Sequence, residues 1–121
     1  MTGRRLAALA LAGLLFSCAS GQGGGVVVEM LDNRYQPEDV TVPVGEAVTF
    51  VGAGRNPHNA VAADGSWSTE DSFGSLDQFE GDTAEVIFDE PGTYVFFCTF
   101  HGNADGEGMA GTLTVVPEDD Q

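Results

Sequence analysis

Beyond residue 18 the chain holds two histidines, one cysteine and two methionines. Both histidines, the cysteine and one methionine form a single arrangement: His58, then Cys98, His101 and Met109. Singly, each has an ordinary explanation as a surface or packed histidine, an inert buried thiol or a core methionine. Together they use nearly all the soft and imidazole donors available. Thiolate sulfur is soft and favours Cu(I), while imidazole serves both copper oxidation states. Two histidines and a cysteine in a plane, with a weak axial methionine, describe a blue-copper electron-transfer site. Such a geometry is a compromise between the two oxidation states, so little has to move when an electron arrives. The axial methionine favours copper over zinc or iron.

These donors need a scaffold that brings position 58 to the 98–109 stretch. Residues 26–31, 40–45, 47–51, 59–62, 84–88, 93–98 and 111–116 read as short β-branched or alternating strands. Short strands with regular turn signals predict an all-β sandwich or barrel. No long helical period is present in this part of the chain. Pro43 suits an edge strand. Asp89-Glu90-Pro91-Gly92 reads as the turn that pairs the strand ending in Cys98 with the one before it. His58 is expected at the start of a short strand. His101 and Met109 are expected in the loop after Cys98, with Met109 directly before the last strand. In a sandwich, loops at one end gather, so all four donors can meet there. Residues 64–83 are rich in Ser, Gly, Asp and Glu. They read as a long excursion with a turn or two of helix, whose Trp67, Phe73, Leu76 and Phe79 pack onto the core.

The first residues carry a different signal. Arg4 and Arg5, an apolar run from Leu6 to Phe16, and Ser17-Cys18 describe an export signal over residues 1–17. The run is too short for a permanent membrane helix, which needs ~20 apolar residues. Leu15-Phe16-Ser17-Cys18 resembles the lipobox of bacterial lipoproteins, which implies a lipid on Cys18 and a membrane-anchored, periplasmic or cell-surface location. Residues 18–25 then form a glycine-rich tether, residues 26–117 one domain, and residues 118–121 an acidic tail. The 104 residues from Cys18 onward fit one modest core. Without the leader, Arg34 and Arg55 face 19 acids, a net charge of −17 with no lysine. That excludes nucleic acid as a partner, which needs a basic surface. Two explanations stay open: steering toward a basic partner, or solubility in a saline habitat where ions screen self-repulsion. An exported protein sits where disulfides form. Cys98 nevertheless has no second cysteine in the domain, and a lone thiol there asks for a role such as metal ligation.

The stretches Asn56-Pro57-His58-Asn59, Pro91-Gly92-Thr93-Tyr94-Val95-Phe96-Phe97-Cys98-Thr99-Phe100-His101 and Gly108-Met109-Ala110-Gly111-Thr112-Leu113-Thr114-Val115 form a specific set. With Tyr35-Gln36-Pro37 and Val42-Pro43-Val44-Gly45 added, residues 26–117 resemble the cupredoxins, specifically the plastocyanin and halocyanin-like group. The resemblance implies an eight-stranded Greek-key β-sandwich with one type 1 copper ion at one end. It implies His58, Cys98, His101 and Met109 as ligands. It also implies that Asn59 hydrogen-bonds across to the Cys98 loop and keeps the two ligand loops in register. The His101 edge would be the electron port, ringed by Pro57, Gly102, Gly108 and Ala110. One departure stands out. Seven residues, Gly102 to Gly108, separate His101 from Met109, where plastocyanins have a shorter stretch. Three glycines and two acids read as a flexible, solvated excursion. Glu107 or a backbone carbonyl are then alternatives for the axial place, with Met109 favoured because the final strand begins there.

The expected function is one-electron transfer between larger extracytoplasmic redox proteins, by a monomer whose copper alternates between Cu(II) and Cu(I). A cytochrome, a terminal oxidase or a copper reductase is the expected class of partner, and such contacts are small and transient. The alternative is an extracytoplasmic copper-binding or delivery protein, which would carry exposed Met- or His-rich tracts; the chain has none. An enzyme such as a copper oxidase or nitrite reductase is not expected, because a second copper centre needs further histidines. The binuclear copper domain of terminal oxidases needs two cysteines in the ligand loop, and only Cys98 is present there.

Overall fold

Period-two alternation shapes most of this chain. The computed structural model describes residues 25–118. The export signal, Cys18, tether residues 19–24 and tail residues 119–121 lie outside them. The elements are β1 (Val26–Leu31), β2 (Arg34–Gln36), β3 (Asp39–Pro43), β4 (Ala47–Gly52), β5 (Val61–Ala62), α1 (Glu70–Phe73), β6 (Thr83–Ile87), β7 (Gly92–Gly102) and β8 (Gly108–Val116). One four-stranded sheet has the order β2-β1-β4-β6 and the other β3-β8-β7-β5. β1 runs parallel to β4 and β3 parallel to β8, while the other pairs are antiparallel. The parallel pairs arise because the chain repeatedly crosses from one sheet to the other, as in a Greek-key sandwich. No helix among the described residues is long and apolar enough to cross a membrane.

Alternate residues of each strand face inward. Val28 and Met30 of β1 and Val48 and Phe50 of β4 meet Val40, Val42, Phe96, Leu113 and Val115 of the facing sheet. An aromatic cluster fills the middle: Tyr35 lies edge-on to Phe96 at 4.7 Å, and Phe50 to Phe96 at 5.8 Å. Trp67 meets Phe88 at 5.1 Å. Fully burying such a side chain stabilises the fold by roughly 1.5–3 kcal/mol. This rigid interior carries the loops at the ends of the strands.

Several elements differ from the sequence reading. Pro91-Gly92 does not close a hairpin. β6 pairs with β4 and β7 pairs with β8 and β5, so the turn hands the chain from one sheet to the other. A Pro-Gly pair enforces reversal but does not say which sheet receives the chain. Cys98 is not the end of its strand; β7 runs on to Gly102, with a register shift between Phe97 and Gly102. Met109 already belongs to β8. His58 lies ahead of β5 as a single bridge to Gln78. The 64–83 excursion holds one helical turn, α1, closed by Gly74 in a left-handed conformation at φ 93°. Trp67 packs inward, and Phe73 and Leu76 do so partly, but Phe79 is 52% exposed. The turn of residues 79–82 turns Phe79 outward: the Phe79 N–H donates to Asp82 Oδ2 and its carbonyl accepts from the Asp82 N–H, both at 2.9 Å.

Candidate metal centre

β5 and β7 pair with Val61 opposite Phe97 and Ala62 opposite Phe96. That antiparallel register carries the residues before Val61 toward the residues after Phe97, so His58 approaches Cys98 and His101. The register shift in β7 falls on this stretch, and an irregularity of this kind re-aims side chains beside a site. His58 Nδ1 lies 3.8 Å from Cys98 Sγ, and His101 Nδ1 lies 3.6 Å from the same sulfur. The three donor atoms are all within 4.8 Å of one another. The imidazole centroids are 4.9 Å apart and tilted by 53°. His58 and Cys98 are fully buried, and His101 is half-buried.

These spacings test whether one ion fits. A thiolate and an imidazole bind a first-row divalent ion such as zinc at about 2.3 Å and about 2.0–2.1 Å; at tetrahedral to trigonal angles the donors then lie about 3.6–3.8 Å apart. Both observed separations fall in that range. The donor types, one soft thiolate and two imidazoles, suit copper. His58, Cys98 and His101 therefore form a possible copper site.

Met109, 1% exposed, belongs to the same core cluster as Cys98 at the start of β8. The stretch before it is an ordered miniature hairpin, not a loose excursion. Gly102 pairs with Gly108, the Asn103 N–H donates to the Glu107 carbonyl at 3.2 Å, and the Gly106 N–H donates to the Asn103 carbonyl at 3.1 Å. Asn103 Oδ1 accepts from the Asp105 and Glu107 N–H groups at 3.0 and 3.3 Å, and Asn103 Nδ2 donates to Glu107 Oε1 at 2.9 Å. Glu107 is thus exposed and engaged within its own turn. A Cβ on Gly108, which has φ +73°, would overlap the His101 carbonyl. The two glycines let the strands close beneath the added residues, so the extra length leaves the ends near Cys98.

Asn59 is buried and joins the two loops. Its Nδ2 donates to Thr99 Oγ1 at 2.9 Å and to the Leu76 carbonyl at 3.0 Å, and its Oδ1 accepts from the Thr99 N–H at 3.0 Å. The Tyr35 hydroxyl donates to the Asn59 carbonyl at 2.6 Å. Burial, and then the electrostatic influence of the neighbouring Cys98, push that hydroxyl well above the usual phenol range. The far end of the excursion clasps His58: the backbones of His58 and Gln78 exchange hydrogen bonds at 3.0 and 3.1 Å. The fully buried Gln78 donates through Nε2 to the Phe50 carbonyl at 3.3 Å. Pro57, Gly102 and Ala110 are half-exposed and Gly108 exposed, and Phe100 beside His101 is 48% exposed.

Sequence reasoning missed Gln78, Phe100 and, above all, Asp32. Asp32 Oδ1 lies 2.9 Å from His58 Nε2 and accepts from the Asn56 N–H at 3.1 Å, while Oδ2 accepts from the Arg55 N–H at 3.2 Å. The hydrogen bond from His58 first, then those from the two backbone N–H groups, hold the Asp32 carboxyl at about 2, below the usual carboxylate range. No sequence signal marks this pair, which depends on β1 running parallel to β4.

Two facing four-stranded sheets, with two imidazoles and a thiol gathered at one end, define a cupredoxin, the class of β-sandwich that holds a single copper ion. The chain belongs to the plastocyanin/azurin family of copper binding proteins, whose model matches residues 25–116. A plastocyanin of Dryopteris crassirhizoma is 35% identical over 92 residues, which cover 68% of this chain and 87% of that one. The chloroplastic plastocyanin of Oryza sativa subsp. indica is 35% identical over 100 residues, covering 78% of this chain and 59% of that relative's length. Among solved structures, a reduced amicyanin variant superposes with a TM-score of 0.58 at 25% identity, covering 83% of this chain and 90% of that one. The copper-containing nitrite reductase of Thermus scotoductus SA-01 superposes with a TM-score of 0.61 at 25% identity, covering 75% of this chain but 22% of that one.

Proposed function

We propose that the protein is an exported one-electron carrier, not an enzyme, which holds one copper ion through His58 Nδ1, Cys98 Sγ and His101 Nδ1, with Met109 as the weak axial donor. The observation that carries this reading is the approach of both Nδ1 atoms to one buried sulfur, at 3.8 and 3.6 Å. Copper held there supplies a one-electron couple, Cu(II)/Cu(I). The chain's own residues do the rest. Burial of His58 and Cys98 keeps water from the donors. The Asn59 bonds to Thr99 and Leu76 hold both loops in place, so little moves between oxidation states. His101 is the more exposed histidine, beside exposed Phe100, and is the natural edge for an electron to cross. Both histidines are used at this one centre, which leaves none for a second copper centre.

The physiological partners are extracytoplasmic redox proteins, of the cytochrome, terminal oxidase or copper reductase type, met transiently by a monomer. Residues 1–17 are the export signal, Cys18 carries the lipid, residues 18–25 form the tether, residues 26–117 the copper domain and residues 118–121 the acidic tail. Visible absorption and electron spin resonance of the fragment without residues 1–18, after adding Cu(II), test the centre. An intense blue band with narrow copper hyperfine splitting, lost in Cys98→Ser, supports it. A pale, ordinary Cu(II) spectrum, or no binding, overturns it. For the anchor, Cys18→Ala releases the full chain from membranes, and an unchanged membrane fraction argues against the lipid.

A further inference from the structure

We infer that Asp32 is a positioning residue for the metal centre: its carboxylate holds His58 in the tautomer that frees Nδ1 for the ion, and its charge biases the centre toward the oxidised state. The inference rests on the copper reading above. Asp32 follows β1, in the two-residue connection to β2, where Leu31 pairs with Arg34. Because β1 runs parallel to β4, their ends reach the same edge of the sandwich, and the Ala53 N–H donates to the Met30 carbonyl at 3.0 Å. The loop leaving β4 then wraps over the Asp32 carboxylate. A Cβ on Gly54 would overlap Asp32 Oδ1, so this wrapping requires glycine at that position. The Arg55 and Asn56 N–H groups close on the carboxylate, and His58 Nε2 reaches it at 2.9 Å.

The backbone bonds alone would make Asp32 a loop anchor. The His58 bond does more, because a neutral imidazole carries one N–H and one lone pair. With the proton on Nε2 and donated to Asp32, the lone pair is on Nδ1, the atom that faces Cys98 Sγ. His58 is fully buried, so bulk water does not take over as acceptor. Among the described residues the ion-pair contact of Asp32 is with His58, and neither arginine shares it. A carboxylate on the far nitrogen of a metal-bound imidazole makes the ligand more basic, a recurring means of orienting ligands and tuning metals. A fixed negative charge favours the more positive of two oxidation states. Asp32 therefore lowers the reduction potential.

Asp32→Asn removes the charge and keeps an Oδ1 that accepts from His58 and Asn56, at the loss of the exposed bond from the Arg55 N–H. It is expected to fold, to bind copper and to shift the Cu(I):Cu(II) equilibrium about tenfold toward Cu(I), a rise of about 59 mV for one electron. Asp32→Ala, which removes the acceptor, is expected to weaken copper binding about 10–100-fold. Long-range proton–nitrogen NMR of the copper-free wild type should find His58 protonated on Nε2, and Asp32→Ala should populate the other tautomer. An unchanged potential in folded Asp32→Asn overturns the tuning role. A His58 protonated on Nδ1 in the copper-free wild type overturns the positioning role, and this spectrum needs neither copper nor a variant that folds. Failure of the wild type to give a blue centre would instead sink the electron-carrier reading, with the tautomer still deciding what Asp32 does.

Discussion

Replacing Asn59 with alanine removes three side-chain hydrogen bonds, two to Thr99 and one to the Leu76 carbonyl. At a net worth of about 1 kcal/mol each, the bonds account for about 3 kcal/mol. Leu76 is half-buried and Thr99 exposed, so water can replace the lost amide at both and no further penalty is added. Domains of this kind have about 5–15 kcal/mol in total, so Asn59→Ala should stay folded with little to spare. Its Tm should fall by at least roughly 12 °C, given about 4–8 °C per kcal/mol for a domain of this size. Thr99→Ala removes one of these bonds and should cost about 1 kcal/mol. Because that bond is shared, the double variant should be less destabilised than the sum by about 1 kcal/mol. Urea unfolding of the copper-free domain, followed by fluorescence of the buried Trp67, measures all three variants. A loss below about 1 kcal/mol for Asn59→Ala, or strict additivity with Thr99→Ala, would refute the idea that this amide ties the two loops together.

Four further outcomes follow from particular contacts. Gly108→Ala places a side chain at φ +73° against the His101 carbonyl and should cost about 1–3 kcal/mol, read by thermal unfolding of the copper-free protein. Met109→Ala opens a cavity at a site 1% exposed and should cost about 2–5 kcal/mol, whereas Glu107→Gln, at an exposed carboxylate bonded within its own turn, should leave the copper spectrum unchanged. Asp64 accepts from the Ser66 hydroxyl and N–H, which together hold its carboxyl below the ordinary aspartate range. A carboxyl depressed on folding stabilises the protein above its unfolded value and loses that contribution as pH falls through the folded one. Asp64→Ala should therefore lower the urea midpoint at pH 7, and the difference should vanish in strong acid.

Fold class and the kinds of donor were legible in the residues alone. Period-two alternation is local, as are turn residues, so two sheets and little helix were legible from residues 26 to 116. The spacing of Cys98, His101 and Met109 was legible for the same reason, since neighbours in sequence share one end of a strand. Partnership across the sandwich was not. The reversal at Pro91-Gly92 was evident, but its entry into the other sheet depended on which strands each segment could cover. The extra residues after His101 looked loose because closure depends on Gly102 meeting Gly108 across the ladder. Asp32 looked like any acid on a chain with 19 of them. Only the parallel pairing of β1 with β4 brings it to His58, 26 positions along the chain. Hydrogen bonds and metal sites are set by distances of a few ångströms between remote residues, and those distances exist only once the sheets have packed.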